Sequence, residues 1–254
     1  MAVALGSIAS TQSKATTLTR NEFTWVLDYA ASNPDGTIRY HASEMVLYIH
    51  SDASYPSETR ARNQAGGDFF LSSQTTNPNS PPQDISRLNG PIHTLSQIIN
   101  VIVFSAAENE IAGNYLIAKA AVPIRTVLIE LSHTQPPTPI QLYNTTAVGF
   151  ANESIKQKRS KAMDMRWYWI QDGVRQKQIL VYYRPGTTNL GDPFTKHHPP
   201  SHLRLIRPYY LQPYSHTAHL TNVVIAHLVQ GCVDTPRKSA CDILRERAVR
   251  AGGG

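Results

Sequence analysis

Cysteine is nearly absent: the 254-residue chain has two, Cys232 and Cys241, both in its C-terminal tail. That is too few for a disulfide scaffold. No Cys/His cluster stands at zinc-finger spacing, which argues against a metal finger and leaves a reducing compartment as the simplest expectation. No apolar run approaches the roughly 20 residues that a membrane span needs. Charge is also scarce, at 17% Asp, Glu, Lys and Arg. Acidic residues are the rarer sign, 18 against 24 basic ones, and the net charge of +6 points modestly toward an anionic partner such as nucleic acid. Met1 to Arg20 holds no acid at all and is rich in Ser, Thr and Ala. It reads as an unstructured leader. No internal repeat is visible.

What the chain does have is a real apolar fraction, 41%, arranged in two alternating rhythms. Phe23, Val26, Leu27 and Ala30 recur at helical spacing, with Asn21 as a candidate cap. Asn33-Pro34-Asp35-Gly36 marks a turn, and Thr37 to Tyr40 a short strand. Met45 to His50 is β-rich and predicts a buried strand ending near Asp52. Gly66 to Ser73 and Pro91 to Gln97 predict a second and third strand, an antiparallel meander. From Ala106 to Ala121 the rhythm turns helical, with Ser105 as cap, and Val122 to Leu131 reads as a separate piece after Pro123. Then follow a strand at Ile140 to Tyr143, a helix near Thr145 to Asn152, a helix from Met163 to Gln176, a strand from Gln178 to Arg184, and a helix or loop from Leu190 to Lys196. The order βββαβαβα implies a layered α/β domain.

Carboxylates carry the candidate chemistry. Two-metal phosphodiester hydrolysis needs several of them converging on one point, because hard dications take oxygen ligands. Asp52 after the first strand, Glu108 and Glu110 opening the long helix, and Asp192 opening the last segment form such a set. Spacing alone leaves each with an ordinary reading: a solvated strand end, a helix-dipole partner, a turn residue.

Six blocks in order change the balance: Ser51-Asp52-Ala53-Ser54, Gly66-Gly67 with Phe69-Phe70-Leu71, Ser105-Ala106-Ala107-Glu108 with Glu110, Tyr143-Asn144 with Thr146-Ala147, Arg159 through Arg166, and Asn189 through Lys196. Together they resemble the ribonuclease H domain of copia-type retrotransposon polyproteins, and Leu27 to Ser43 resembles the connection segment that precedes it. The resemblance implies a ribonuclease H-like three-layer fold: a mixed sheet, with three antiparallel strands plus parallel ones, flanked by helices. It divides the chain into a disordered leader (1–20), a connection-like segment (21–44), the ribonuclease H-like domain (45–200) and a partly disordered extension (201–254).

It also implies Mg²⁺-dependent cleavage of RNA in RNA–DNA hybrids, with Mn²⁺ as a substitute, in an intracellular setting of cytoplasm or nucleus. Asp52, Glu110 and Asp192 take the positions of catalytic, metal-holding carboxylates. Glu108 is the neighbouring alternative to Glu110. The third carboxylate should precede Asn144, where this chain has Tyr143, a neutral phenol at pH 7 and a poor Mg²⁺ ligand. Weakened metal binding and impaired cleavage follow as expectations. The alternative is a non-catalytic, retrotransposon-derived nucleic-acid-binding remnant. Lys156, Lys158, Arg159 and Lys161 are the expected phosphate contacts. Trp167, at helical spacing from Met163, Ile170 and Val174, is expected in the core rather than on a stacking surface.

Overall fold

Val46 to Ile49 favour extended backbone and burial. In the computed structural model, which describes residues 2–34, 36–58, 62–73, 89–103, 105–155 and 165–213, they open strand β1, Val46–Glu58. It pairs antiparallel with β2, Arg62–Ser72, which pairs antiparallel with β3, Pro91–Ile99. On its other side β1 runs parallel to β4, Thr138–Leu142, and β4 runs parallel to β5, Ile179–Tyr183. The sheet order is β3-β2-β1-β4-β5. Parallel neighbours need crossovers, and helices supply them: α1 (Ala106–Glu130) and α2 (Thr145–Ala151) with α3 (Met165–Arg175). A fourth helix, α4, spans Pro200–Tyr210.

Alternation along β1 divides the sheet's two faces. Leu47 and Ile49 join Phe69, Ile117, Ile140, Leu142, Phe150, Trp167 and Ile170 in the main core under the helices. Val46, Tyr48 and Phe70 form a smaller cluster on the opposite register. Each buried side chain of this size contributes about 1.5–3 kcal/mol relative to exposure. Trp167 is buried and meets Phe150 edge-on at 5.9 Å, a core role as its spacing predicts.

Several elements differ from the sequence reading. β1 continues to Glu58, so Asp52 lies inside a paired strand, opposite Gly66, rather than at its end. Ser51 to Ser54 carry no alternation signal, yet pairing with β2 keeps them extended. α1 is one helix straight through Pro123. Proline in a helix costs about 3 kcal/mol. Buried Ala121 and Leu128 on either side offset that, with Arg125 donating to Gln135 O at 2.6 Å and Thr138 Oγ1 at 3.1 Å.

The described residues form two compact units, one of residues 2–7 and 38–211 and a second of residues 8–37 and 212–213. In the second, the helix Thr17–Ala31 is capped by Thr16, whose hydroxyl accepts from Thr19 N, and not by Asn21. Its two-residue strand Gly36–Thr37 pairs with Gln212–Pro213, shorter than the expected 37–40 strand. The leader expected to be disordered is helical over Ala2–Ser10, where alanine's helix propensity prevails. Among the described residues no helix is long and apolar enough to cross a membrane.

Candidate functional site

Asp52 is fully buried in the central strand, paired with Gly66 of β2 three residues beyond Ile49, where β4 pairs on the other side. Glu110 reaches it from α1. That helix starts at Ser105, whose hydroxyl accepts from Glu108 N at 3.2 Å, and Asn109 Nδ2 donates to Ser54 O at 3.0 Å. The helix comes this close because residue 113 is glycine: a Cβ there would lie 2.8 Å from the Ala53 methyl. Glu108, the alternative candidate, occupies the first turn.

Asp192 arrives on a single 3₁₀ turn, Asp192–Phe194. The turn is tied to three strands. Asn189 Nδ2 donates to Ser51 O at 2.7 Å, and Leu190 N to His50 Nδ1 at 3.1 Å. Phe194 O accepts from Ser96 Oγ at 2.8 Å and Gln64 Nε2 at 3.3 Å. Gly66 makes room for it, since a Cβ there would stand 2.6 Å from Thr195 Cγ2 and 2.7 Å from Gly191 O.

Two residues directly after this turn engage the carboxylates. The Thr195 hydroxyl donates to Asp52 Oδ2 and also contacts Asp192 O. The Lys196 ammonium pairs with Asp192 Oδ1 and stands 3.7 Å from Asp52 Oδ2. Tyr143, at the end of β4, brings its hydroxyl to Ala53 O at 3.4 Å, and Lys196 Nζ lies 5.7 Å from its ring centre. Asp52, Glu110, Asp192 and Tyr143 therefore meet in one place.

The electrostatics follow from burial. Desolvation raises the Asp52 carboxyl above its ordinary range, against Lys196 and Thr195, which favour the ionised form. Glu110 is raised well above its ordinary value by burial, then by the neighbouring charge of Asp52. Burial pushes the Tyr143 phenol upward, and Glu110 and Asp52 push it further, so it stays neutral. Lys196 is raised: burial opposes its charge, but Asp52, Asp192 and Glu110 outweigh that. Among the described residues, Asp52 Oδ1 and both Glu110 oxygens have no hydrogen-bond partner of good geometry. Buried acceptors of this kind are rare without a missing cation or water.

Thr195 and Lys196 belong to the block around Asp192, but residue types alone did not give them these contacts. His198, 2.6 Å from Asp192 Oδ2, was also missed. The basic run Lys156, Lys158, Arg159 and Lys161 lies outside the described residues, as do Cys232 and Cys241.

With three antiparallel strands, two parallel ones and helical crossovers, the architecture is the one implied by the sequence blocks. The fold is ribonuclease H-like. No family model matches the chain. It is 21% identical over 172 residues to the retrovirus-related Pol polyprotein from transposon TNT 1-94 of Nicotiana tabacum, an alignment covering 68% of this chain. The chain spans only 12% of that polyprotein's length. Among solved structures it is similar to the N-terminal ribonuclease H domain of rv2228c from Mycobacterium tuberculosis, at 14% identity and a TM-score of 0.41, covering 59% of this chain and 91% of that one. It is also similar to LC11-RNase H1 bound to an RNA/DNA hybrid, at 10% identity and 0.40, covering 59% and 93%. A third is the foamy viral protease–reverse transcriptase bound to dsDNA, at 16% and 0.37, covering 60% and 92%.

Proposed function

We propose that this chain is the ribonuclease H-like domain of a copia-type retrotransposon polyprotein, whose ancestral reaction is two-metal cleavage of RNA in RNA–DNA hybrids, and that Tyr143 impairs that reaction. The observation that carries the reading is the convergence of Asp52, Glu110 and Asp192 with a phenol where a further carboxylate is needed.

The donor set suits one hard dication. Asp52 Oδ1 and both Glu110 oxygens are buried acceptors without a well-formed hydrogen bond among the described residues, the Tyr143 hydroxyl lying near Glu110, and Asp192 adds a third carboxylate. Asp52, Glu110 and Asp192 would hold Mg²⁺, or Mn²⁺ in its place. Such an ion supplies charge neutralisation and water activation in phosphodiester hydrolysis. Tyr143 contributes only a neutral oxygen. Lys196 already neutralises part of the charge on Asp52 and Asp192, so an incoming ion competes with an ammonium in place. One bound ion is compatible with this set. Two ions need the carboxylate that Tyr143 lacks.

A second reading, a non-catalytic remnant that still binds nucleic acid, draws on the net charge of +6 and on Lys156, Lys158, Arg159 and Lys161 as phosphate contacts. One experiment separates the two: cleavage and gel-shift of a labelled RNA–DNA hybrid in Mg²⁺ and Mn²⁺, comparing the natural chain with Tyr143→Asp and Asp52→Asn. Cleavage by Tyr143→Asp alone supports an impaired enzyme. Binding without cleavage by any variant supports the remnant. Cleavage by the natural chain that Asp52→Asn abolishes overturns the impairment.

A further inference from the structure

Next to the buried carboxylates, on their solvent side, stand Asp192, His198 and His202. One ligand atom from each lies within 4.8 Å of the other two. We propose that these three residues form a binding site for a borderline transition-metal dication of the Zn²⁺ type, which shares Asp192 with the proposed hard-cation set of Asp52 and Glu110 and differs from it in taking two imidazoles.

Local structure brings them together. Asp192 is fixed by the strand-tied 3₁₀ turn described above. Pro199 and Pro200 then set the backbone, with Pro200 as the first residue of α4, where proline's missing N–H costs nothing. His202 follows in the first turn. The His198 and His202 rings stack 4.3 Å apart with 30° between planes. His198 Nε2 is 2.6 Å from Asp192 Oδ2, but the contact is misaligned for a hydrogen bond, and among the described residues this buried nitrogen has no other partner. The imidazole nitrogen and the carboxylate oxygen face each other as an ion pair without a well-formed hydrogen bond, and a metal ion that parts them to ligand spacing would satisfy both.

Ligand chemistry selects the ion. Two imidazoles and one carboxylate suit Zn²⁺, Co²⁺ or Fe²⁺, whereas Mg²⁺ takes oxygen donors. At metal–ligand distances of about 2.0–2.1 Å the ligand atoms sit about 3.3 Å apart. Side-chain rotation reaches that spacing, the His198–Asp192 pair opening from 2.6 Å, since the His198 side chain is 15% and the Asp192 side chain 19% exposed. Lys196 holds Asp192 Oδ1 and leaves Oδ2 facing the histidines, orienting the ligand as an outer-shell partner does. Three protein ligands leave a coordination position for water.

The test uses the full chain and two probes, Zn²⁺ by calorimetry in excess Mg²⁺ and Co²⁺ by its visible ligand-field absorption. The expected result is one equivalent bound in the presence of Mg²⁺, with a Co²⁺ spectrum of nitrogen and oxygen ligation. His198→Ala and His202→Ala should each lose more than the roughly 10–100-fold in affinity that outer-shell changes cost. His202→Cys should retain binding with a shifted, thiolate-type spectrum, which mere ring stacking would not produce. Exposed His197, mutated to Ala, should bind as the natural chain does. Thermal unfolding of each metal-free variant checks that it folds. Wild-type binding by both alanine variants places the ion on other histidines and overturns the proposal, as does absence of Zn²⁺ binding. Because Asp192 is shared with the proposed Mg²⁺ set, either outcome is read from Zn²⁺ and Co²⁺ binding alone and hybrid cleavage is assayed separately.

Discussion

Asp68→Asn should weaken the loss of this protein's stability as pH rises. Asp68 sits on β2 with 1% of its surface exposed, directly across from His50 on β1. Its Oδ1 has no hydrogen-bond partner among the described residues. Burial raises its pKa from 3.8 to about 8. The folded protein therefore holds a proton that the unfolded chain releases, and stability falls as pH rises from about 4 to about 8. At about 1.4 kcal/mol per unit, the full window is worth about 6 kcal/mol, an upper limit comparable to the whole stability of many domains.

His50 works in the opposite sense. Burial, assisted by the charge of Arg184, lowers it from 6.5 to about 3. The unfolded chain binds its proton first, so this residue's contribution grows as pH rises from 3 to 6.5. The two effects nearly cancel between pH 4 and 6.5, and of the two only Asp68 acts above that. Asp52 and Glu110 are also raised by burial, but they are common to both proteins. Urea unfolding of the natural chain and Asp68→Asn at pH 5, 6, 7 and 8 isolates the effect. The gap in favour of the variant should widen with each unit, by up to about 1.4 kcal/mol. Parallel stability curves would refute the assignment of a buried, neutral Asp68.

Three further outcomes follow from the site. Gly66→Ala forces a methyl against Thr195 and the Gly191 carbonyl, and should destabilise by about 1–3 kcal/mol in thermal unfolding while weakening any Mg²⁺-induced shift. Glu110→Gln removes a buried carboxylate that makes no well-formed hydrogen bond among the described residues, so it should raise the melting temperature at pH 8 without metal and abolish the Mg²⁺ shift. Lys196→Met removes the ammonium from Asp52 and Asp192. It should lower the melting temperature without metal and enlarge the shift that Mg²⁺ produces; a smaller shift would show that Lys196 orients the ligands instead of competing with the ion.

Much of the sheet was legible because it is built on strong signals: Val46 to Ile49, Phe69 to Leu71 and Ile179 to Tyr183 are apolar runs bounded by turns or polar stretches. The continuation of β1 through Ser51-Asp52-Ala53 was not, since its pairing with β2 depends on residues distant in sequence. Pro123 misled for a similar reason: a local breaker was overruled by packing and by the Arg125 contacts. In the site, carboxylate spacing pointed to Asp52, Glu110 and Asp192 only weakly, and ordered sequence blocks sharpened it. Lys196, Thr195 and the His198–His202 pair escaped because their meaning is geometric. Each becomes visible only when the turn after Leu190 is laid against β1.

Tyr143 has one more consequence, seen from the codon table. Tyrosine and aspartate differ by a single base in the first codon position, so the phenol that reaches the Ala53 carbonyl is one point mutation from the expected carboxylate. That step would exchange an uncharged cross-strand tie for a group that repels Asp52 and Glu110 until an ion arrives. The chain as it stands is better suited to folding without metal. A Tyr143→Asp chain would make its native state dependent on the ionic content of its surroundings.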